Sequence, residues 1–185
     1  GLLSDASESE ALATSVTDAG DAVFVPAFLG LGTPRWDYGA RGAFFGLTRG
    51  VGRAHMVRAV LEGIAHRCAD LVESAVADTG FSVDSLRVDG GMSANGFLMQ
   101  ALADAASVRV EISPVTEATT LGAAYLAGIA TGVWPDESAT AALFTPRAGV
   151  DPSCTDSQRA TARARWSEAV SRSAKWVPEL SAIDF

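Results

Sequence analysis

One stretch, from Arg53 to about Asp78, constrains the fold more than any other feature because its apolar residues recur at steps of three and four. The residues on this stripe are Val57, Val60, Leu61, Ile64, Cys68, Leu71, Val72 and Ala75. Such spacing predicts one long amphipathic helix. Thr79 and Gly80 follow the stripe, and glycine suits the left-handed backbone position at which many helices end.

Shorter elements alternate on both sides of this helix. The pattern predicts helices over about 7–16, 93–106, 119–131 and 156–176, strands at 23–25, 86–88 and 108–112, and one or two short strands in the glycine-rich stretch 30–52. Alternating strands and helices are typical of an α/β fold. Residues 133–152 are expected to be irregular, and Ser153 with Asp156 is expected to cap the last helix.

Composition and charge exclude several classes of function. The chain has 185 residues, 48% hydrophobic and 19% charged, which fits one globular domain. A net charge of −8 argues against nucleic-acid binding, since an acidic surface repels phosphates. The sequence predicts neither a membrane span nor a signal peptide. Cys68 and Cys154 are expected to be reduced thiols in a cytosolic protein, and no metal site is expected.

The segment Leu86–Asn95 carries the chemistry. A strand runs into Gly90-Gly91, and the expected helix start beyond them offers unpaired N–H groups and a positive dipole end. Two glycines permit a positive φ and allow a ligand to lie against the backbone. Asn95, expected in the first helical turn, carries the donor and acceptor needed to read an adenine edge. These residues alone leave two interpretations open, a nucleotide site or tight packing of a helix on a strand.

Several separated motifs resemble the glycerol kinases of the FGGY family of carbohydrate kinases. The segment Phe24–Asp37 with Ala40-Arg41-Gly42 is similar to their "VPAFxGLGxPxWD..ARG" motif, and Gly42–Leu47, seven residues and His55–Glu62 fit the second FGGY signature. The likeness continues through Arg87–Gly91 with Asn95, Thr116–Gly128, and Trp166, Ala169, Val170 and Trp176. It therefore runs in order over about residues 22–177. Tyr38-Gly39 departs from it, because many relatives have Pro-Tyr there.

This resemblance implies an α/β fold of the actin-like, ribonuclease-H-like ATPase type, in which two domains close over a cleft. Residues 1–185 would form most of the second, C-terminal nucleotide-binding domain, without its first strands. Family members transfer the γ-phosphate of MgATP to a polyol hydroxyl, here giving glycerol 3-phosphate. By matching position, Gly91 and Asn95 would contact the adenine nucleotide ATP or ADP, and Gly90 would form the same turn.

The resemblance also implies that other functional residues lie upstream. The phosphate loop, the residues that bind glycerol and the general base belong to segments that precede this one, so no catalytic residue and no Mg²⁺ ligand is assigned here. The chain begins with Gly1 instead of Met, and we expect it to be part of a longer protein. The isolated chain is expected to have no kinase activity. A cytoplasmic homo-oligomer is the expectation for the whole enzyme.

Three alternatives are weighed against a glycerol kinase. The protein could phosphorylate another polyol or sugar of the same family, or be an inactive module that binds a nucleotide. A third alternative, another actin-like ATPase such as a chaperone or filament protein, is disfavoured by the polyol-kinase signature at Gly42–Glu62. The upstream sequence would separate the enzyme from the module.

Other charged and aromatic residues are interpreted as structural. Asp37 and Arg41 are expected to pair and hold the glycine-rich loop, and Glu62 to bond nearby loop backbone. Asp89 could lie behind the nucleotide or hold the turn that follows it. His66 is expected on a polar face. The tryptophans, expected in the core or in an interface, are Trp36, Trp134, Trp166 and Trp176.

Overall fold

A computed structural model describes residues 1–182 of the chain. Its helices are α1 (Glu8–Thr14), α2 (Arg53–Thr79), α3 (Gly96–Ala106), α4 (Ala118–Ala130), α5 (Glu137–Ala141), α6 (Asp156–Ser173) and α7 (Pro178–Ser181). Its strands are β1 (Val23–Val25), β2 (Ala43–Phe45), β3 (Ser85–Val88), β4 (Arg109–Ile112) and β5 (Ala148–Val150). A single 3₁₀ turn, Gly91–Ala94, precedes α3.

The strands form two sheets. Strands β1 and β2 pair in an antiparallel hairpin, with Phe24 opposite Phe44. The second sheet has the order β3-β4-β5. Strands β3 and β4 are parallel, and β5 pairs with β4 in the antiparallel direction. Because α3 connects the two parallel strands, this part is a β-α-β unit, and the predicted α/β class is confirmed.

Helix α2 is the centre of the structure, as its long apolar stripe predicts. It packs on α1, α3 and β1. Gly80 closes it in the left-handed conformation at φ 70°, as expected. The largest core cluster lies between α2, α3 and β4 and contains Ala13, Leu61, Ala65, Ala69, Leu98, Met99, Leu102, Ala103, Ala105, Val110 and Ile112. This cluster holds the β-α-β unit against the long helix.

The hairpin lies on another part of the same helix. Its close approach depends on Gly63, because a Cβ atom there would come within 2.2 Å of the carbonyl oxygen of Phe24. Helix α6 covers the opposite side of β1, where the fully buried Trp166 packs beside Val25. Helix α2 thus links the hairpin to the β-α-β unit.

Several predicted boundaries were wrong. Helix α3 begins at Gly96 instead of Ser93, because the chain first makes the 3₁₀ turn. Residues 133–152 contain α5 and β5, whose lengths of five and three residues are too short for a periodic signal. The last long helix ends at Ser173, and its cap is Thr155 with Gln158, each side chain bonding the other's backbone N–H.

The tryptophans divide into two groups. Trp166 is buried, and the ring of Trp134 packs so closely on α4 that a Cβ atom at Gly128 would lie 2.2 Å from it. Trp36 and Trp176 are 60% and 74% exposed, so they do not lie in the core, and their alternative placement in an interface stays a prediction. Within residues 1–182, no helix combines the length and hydropathy that a bilayer crossing requires.

Candidate functional site

The carboxyl ends of β3 and β4 lie side by side, and the loops that leave them are tied together. The N–H of Gly90 donates a hydrogen bond to the carbonyl of Thr116 at 3.2 Å. The N–H of Ala118 donates to Oδ2 of Asp89 at 3.3 Å. Asp89 thus holds the start of α4 instead of the turn that follows it, and its other predicted role, behind the nucleotide, stays a prediction. This edge of an open α/β sheet is where such folds bind ligands.

The Gly90-Gly91 turn presents bare backbone to open space. Gly90 has φ 84° and ψ 175°, a conformation that strains any residue with a Cβ atom. A Cβ atom built on either glycine would meet no other atom within 4 Å. The N–H groups of Gly91 and Met92 find no hydrogen-bond acceptor in residues 1–182. The turn thus offers two free donors and room for a ligand to lie against them.

Asn95 occupies the position just before α3, not its first turn as predicted. Its backbone has φ −81° and ψ 102°, and its Oδ1 accepts a hydrogen bond from the N–H of Leu98 at 2.9 Å. The reason is that a polar side chain at this position satisfies an N–H that the helix leaves unpaired. Its Nδ2 donates to Oγ of Ser9 at 3.0 Å. One N–H and one lone pair of the amide stay uncommitted by these two bonds.

Ser93 gives the turn its shape, although it was not among the predicted site residues. Its hydroxyl donates to the carbonyl of Gly90 at 2.7 Å, and its own N–H donates to the same oxygen at 3.1 Å. A serine three residues after the turn glycine is a recognisable signal for such local bonding. The carbonyl of Gly90 is therefore occupied by Ser93, which fixes the local geometry of the turn.

An apolar cavity of about 170 Å³ adjoins this turn. Met92 closes one side, and the other lining residues come from the N-terminal segment and α2: Leu2, Leu3, Ala6, Ser9, Val57, Val60, Leu61 and Ile64. Apolar walls beside a few convergent polar groups suit a flat aromatic ring better than a phosphate. Larger cavities, of about 250 to 380 Å³, lie along α2 or α6 and include no residue of the turn.

Asp37 holds the glycine-rich loop through the backbone instead of through Arg41. Burial raises the pKa of this carboxyl, but hydrogen bonds from Ser181 and from three backbone N–H groups outweigh it and keep the pKa below its ordinary value. Those N–H groups belong to Gly39, Ala40 and Lys175. The carboxylate is therefore occupied by loop and C-terminal segments, and its structural role is confirmed.

Two other predicted partners were wrong. The guanidinium of Arg41 donates to the carbonyls of Tyr38 and Ala40, at 2.8 and 2.7 Å, and so forms no ion pair with Asp37 in residues 1–182. Glu62 pairs with Arg58 one turn away on α2, at 2.8 Å, instead of with loop backbone. Residues four apart on a helix face lie side by side, which brings Arg58 to Glu62, and the guanidinium of Arg41 is taken up by carbonyls of its own loop.

His66 lies against Trp166 and not on a polar face. The two rings stack with centroids 5.6 Å apart. The buried Asp70 carboxylate accepts hydrogen bonds from the Trp166 indole and from Arg163, at 3.0 and 2.6 Å. This network fastens α6 to α2, and none of its members reaches the glycine turn. Its role is therefore structural.

Sequence comparison identifies the family. The pattern of the FGGY family of carbohydrate kinases, C-terminal domain, matches residues 2–131. The chain belongs to this family. It is 50% identical over 175 residues to glycerol kinase 2 of Thermotoga maritima, a match that covers 95% of this chain and 35% of that protein. Glycerol kinase of Dechloromonas aromatica is 49% identical over 176 residues, with the same coverage of 95% and 35%. The chain thus spans about a third of the length of these relatives.

Solved structures of FGGY kinases share the fold. Plasmodium falciparum glycerol kinase with ADP superposes with a TM-score of 0.83 at 34% identity, over 100% of this chain and 35% of that one. Ligand-bound xylulose kinase from Lactobacillus acidophilus has a TM-score of 0.75 at 25% identity, over 90% of this chain and 34% of that one. The architecture is that of the C-terminal regions of these kinases, as the sequence motifs imply.

Proposed function

We propose that this chain is the nucleotide-binding, C-terminal part of a glycerol kinase, which transfers the γ-phosphate of MgATP to glycerol and gives glycerol 3-phosphate. Support comes from curated relatives named glycerol kinase, which reach 43–50% identity over 95–100% of the chain. The xylulose and gluconate kinases among the solved structures reach 22–28%. Glycerol is therefore the first acceptor to test, and another polyol or sugar is the second. The whole enzyme is proposed to be a cytoplasmic homo-oligomer.

One observation carries the nucleotide assignment: the open backbone of the Gly90-Gly91 turn at the carboxyl end of β3. We propose that the adenine nucleotide lies against these two glycines, with its base toward the apolar cavity beside Met92. The amide of Asn95 would supply its uncommitted N–H and lone pair to the base, and adenine carries the matching acceptor and donor. The ADP in the Plasmodium falciparum structure agrees with a nucleotide ligand for this fold.

The proposed chemistry needs groups that this turn does not have. Phosphoryl transfer requires a metal ion, close positioning of both substrates and a base for the attacking hydroxyl. Gly90, Gly91 and Asn95 provide neutral amide groups only. We therefore assign the base, the phosphate-binding residues and most of the glycerol site to other parts of the complete enzyme. The 185-residue chain alone is expected to phosphorylate nothing.

The activity is tested with the complete protein that carries this chain. Glycerol, xylulose and gluconate are compared as acceptors with MgATP, and formation of ADP is followed by a coupled assay. Glycerol is expected to have the highest kcat/KM, and the isolated chain is expected to give no turnover. A higher kcat/KM for xylulose or gluconate would favour another polyol or sugar over glycerol as the substrate. Turnover by the isolated chain would contradict the proposal that the general base lies in another part of the enzyme.

The site is tested by adding a side chain to the turn. The Cβ atom of Gly91→Val would meet no other atom within 4 Å, so the fold should tolerate it while the nucleotide loses its contact surface. We expect ADP to bind roughly tenfold more weakly, since overpacking a contact costs about 1–3 kcal/mol. Gly50→Val, in another open turn, is the matched control. If calorimetry gave the same ADP affinity for both variants, the assignment of the nucleotide site to this turn would be wrong.

A further inference from the structure

One buried contact connects the proposed nucleotide site to a distant part of the chain. Nδ2 of Asn95 donates a hydrogen bond to Oγ of Ser9, which lies 86 residues earlier, in the first turn of α1. Ser9 is 4% exposed and Asn95 is 8% exposed. Polar groups buried this deeply depend on each other, because neither can turn to water when the partner is lost.

The neighbours of both Ser9 and Asn95 determine which of the two side chains donates in this hydrogen bond. The hydroxyl of Ser9 gives its only proton to the carbonyl of Ala6, at 2.6 Å, and so it accepts from Asn95. On the other side, Oδ1 of Asn95 accepts from the N–H of Leu98. A half-turn of the amide would set its NH₂ group against that N–H and its oxygen against the lone pairs of Ser9. The two neighbours therefore hold one orientation of the amide.

Helix α1, which carries Ser9, is held in place by α2 and α3. The guanidinium of Arg58 on α2 donates to the carbonyls of Ala13 and Val16 at the end of α1, at 3.3 and 2.7 Å. Helix α1 also contacts α3, and a Cβ atom on Gly96 would lie 2.8 Å from the Glu10 carboxylate. The position of Ser9 is thus determined by α2 and α3, not by the N-terminal segment alone.

We propose that Ser9 is a positioning residue for nucleotide binding, which orients the Asn95 amide so that its free N–H and lone pair face the base. The proposal rests on the nucleotide site assigned above. Ser9 also lines the cavity toward which the base is placed, and its proposed effect is the one that it exerts through Asn95. Ser9→Ala removes the acceptor and leaves the cap bond to Leu98, so the helix start persists while the amide is held from one side only. We expect ADP affinity to fall about three- to tenfold, as for loss of one buried partner.

The test uses the complete protein and four variants: Ser9→Ala, Asn95→Ala, the double variant, and Ser7→Ala as the matched control. Ser7 is exposed and lies just before α1, and it bonds locally to Asp5 through its N–H and its side chain, far from Asn95 in sequence. Calorimetry gives the Kd of ADP, and steady-state kinetics gives KM for ATP and for the acceptor. Ser9→Ala is expected to raise Kd for ADP and KM for ATP, with kcat and the acceptor KM unchanged, whereas Ser7→Ala changes none of these constants.

The double variant shows whether the effect of Ser9 on ADP binding depends on Asn95. If Ser9 acts through Asn95, adding Ser9→Ala to Asn95→Ala weakens ADP binding no further. A further loss equal to that of the single variant, or an unchanged Kd in Ser9→Ala, would overturn the proposal. Normal ADP affinity in Asn95→Ala would instead overturn the nucleotide site itself. Melting curves without ADP identify a variant that does not fold, and a Ser9→Ala chain that fails to fold would also count against a purely positioning role.

Discussion

His66 makes the stability of this domain sensitive to acid. Its ring stacks on Trp166 inside the joint between α2 and α6, and its Nδ1 atom is buried without a partner in residues 1–182. Burial lowers the pKa of His66 from 6.5 to about 4. The neighbouring Arg163 cation lowers this pKa as well, while the Asp70 carboxylate raises it without compensating. The imidazole is therefore neutral in the folded chain at neutral pH.

The size of the effect follows from the difference between the two states. The unfolded chain takes up a proton at His66 as the pH falls through 6.5, and the folded chain does so only near pH 4. The stability associated with the neutral ring is thus fully present above pH 6.5 and is lost as the pH falls to about 4. A shift of about 2.5 units corresponds to about 3 kcal/mol at 1.36 kcal/mol per unit. That is a large share of the 5–15 kcal/mol by which domains are typically stable.

His66→Phe isolates this contribution, since phenylalanine keeps a ring against Trp166 and has no titrating nitrogen. Urea unfolding of the parent and the variant at pH 7.5 and pH 4.5 gives four free energies of unfolding. Between these pH values the parent should lose about 2–3 kcal/mol more than the variant. Carboxylates that titrate in the same range are present in both chains and cancel from the comparison. Parallel losses in the two chains would show that His66 is not buried as a neutral ring.

Two further substitutions test the packing around α2, again by urea unfolding. The buried Asp70 carboxylate accepts hydrogen bonds from Arg163 and Trp166, so Asp70→Ala should destabilise the chain by about 3 kcal/mol. The control Glu73→Ala removes a carboxylate whose side chain is 60% exposed and should cost less than about 1 kcal/mol. Equal effects would refute the buried network. Gly63→Ala should cost about 1–3 kcal/mol or more, because the new Cβ atom meets the Phe24 carbonyl, while Gly122→Ala in open space on α4 should cost nothing. A neutral Gly63→Ala would contradict the close approach of β1 to α2.

The elements that could be predicted from the sequence are those whose signal is local and long. The apolar stripe extends through most of the 27-residue helix α2, so this helix and its glycine end at Gly80 were predicted within two residues. The strand before Gly90-Gly91 was predicted from its local sequence, but the 3₁₀ turn that separates these glycines from α3 was not. Strand β5 and helix α5 are too short to carry a period, and their pairing with distant elements could not be predicted.

The partners of single polar side chains were predicted less well. Asp37 and Arg41 are near each other in sequence and opposite in charge, yet backbone groups satisfy both. His66 was predicted on a polar face, while the ring that covers it belongs to Trp166, 100 residues later. Residue type predicts which bonds are available to a side chain, and the tertiary fold decides which of them form.

The Gly90-Gly91 turn combines a feature that the local sequence predicts with one that depends on the tertiary fold. Its openness is local, because it follows from two glycines after a strand. The turn and its flanking residues Asp89 and Asn95 are held by contacts from two separate regions: the segment between β4 and α4, through the carbonyl of Thr116 and the N–H of Ala118, and α1, through the hydroxyl of Ser9. A nucleotide bound there would be held by backbone groups whose positions depend on the packing of α1 and α3 on α2. Damage to that packing should therefore weaken nucleotide binding without touching any residue that contacts the ligand.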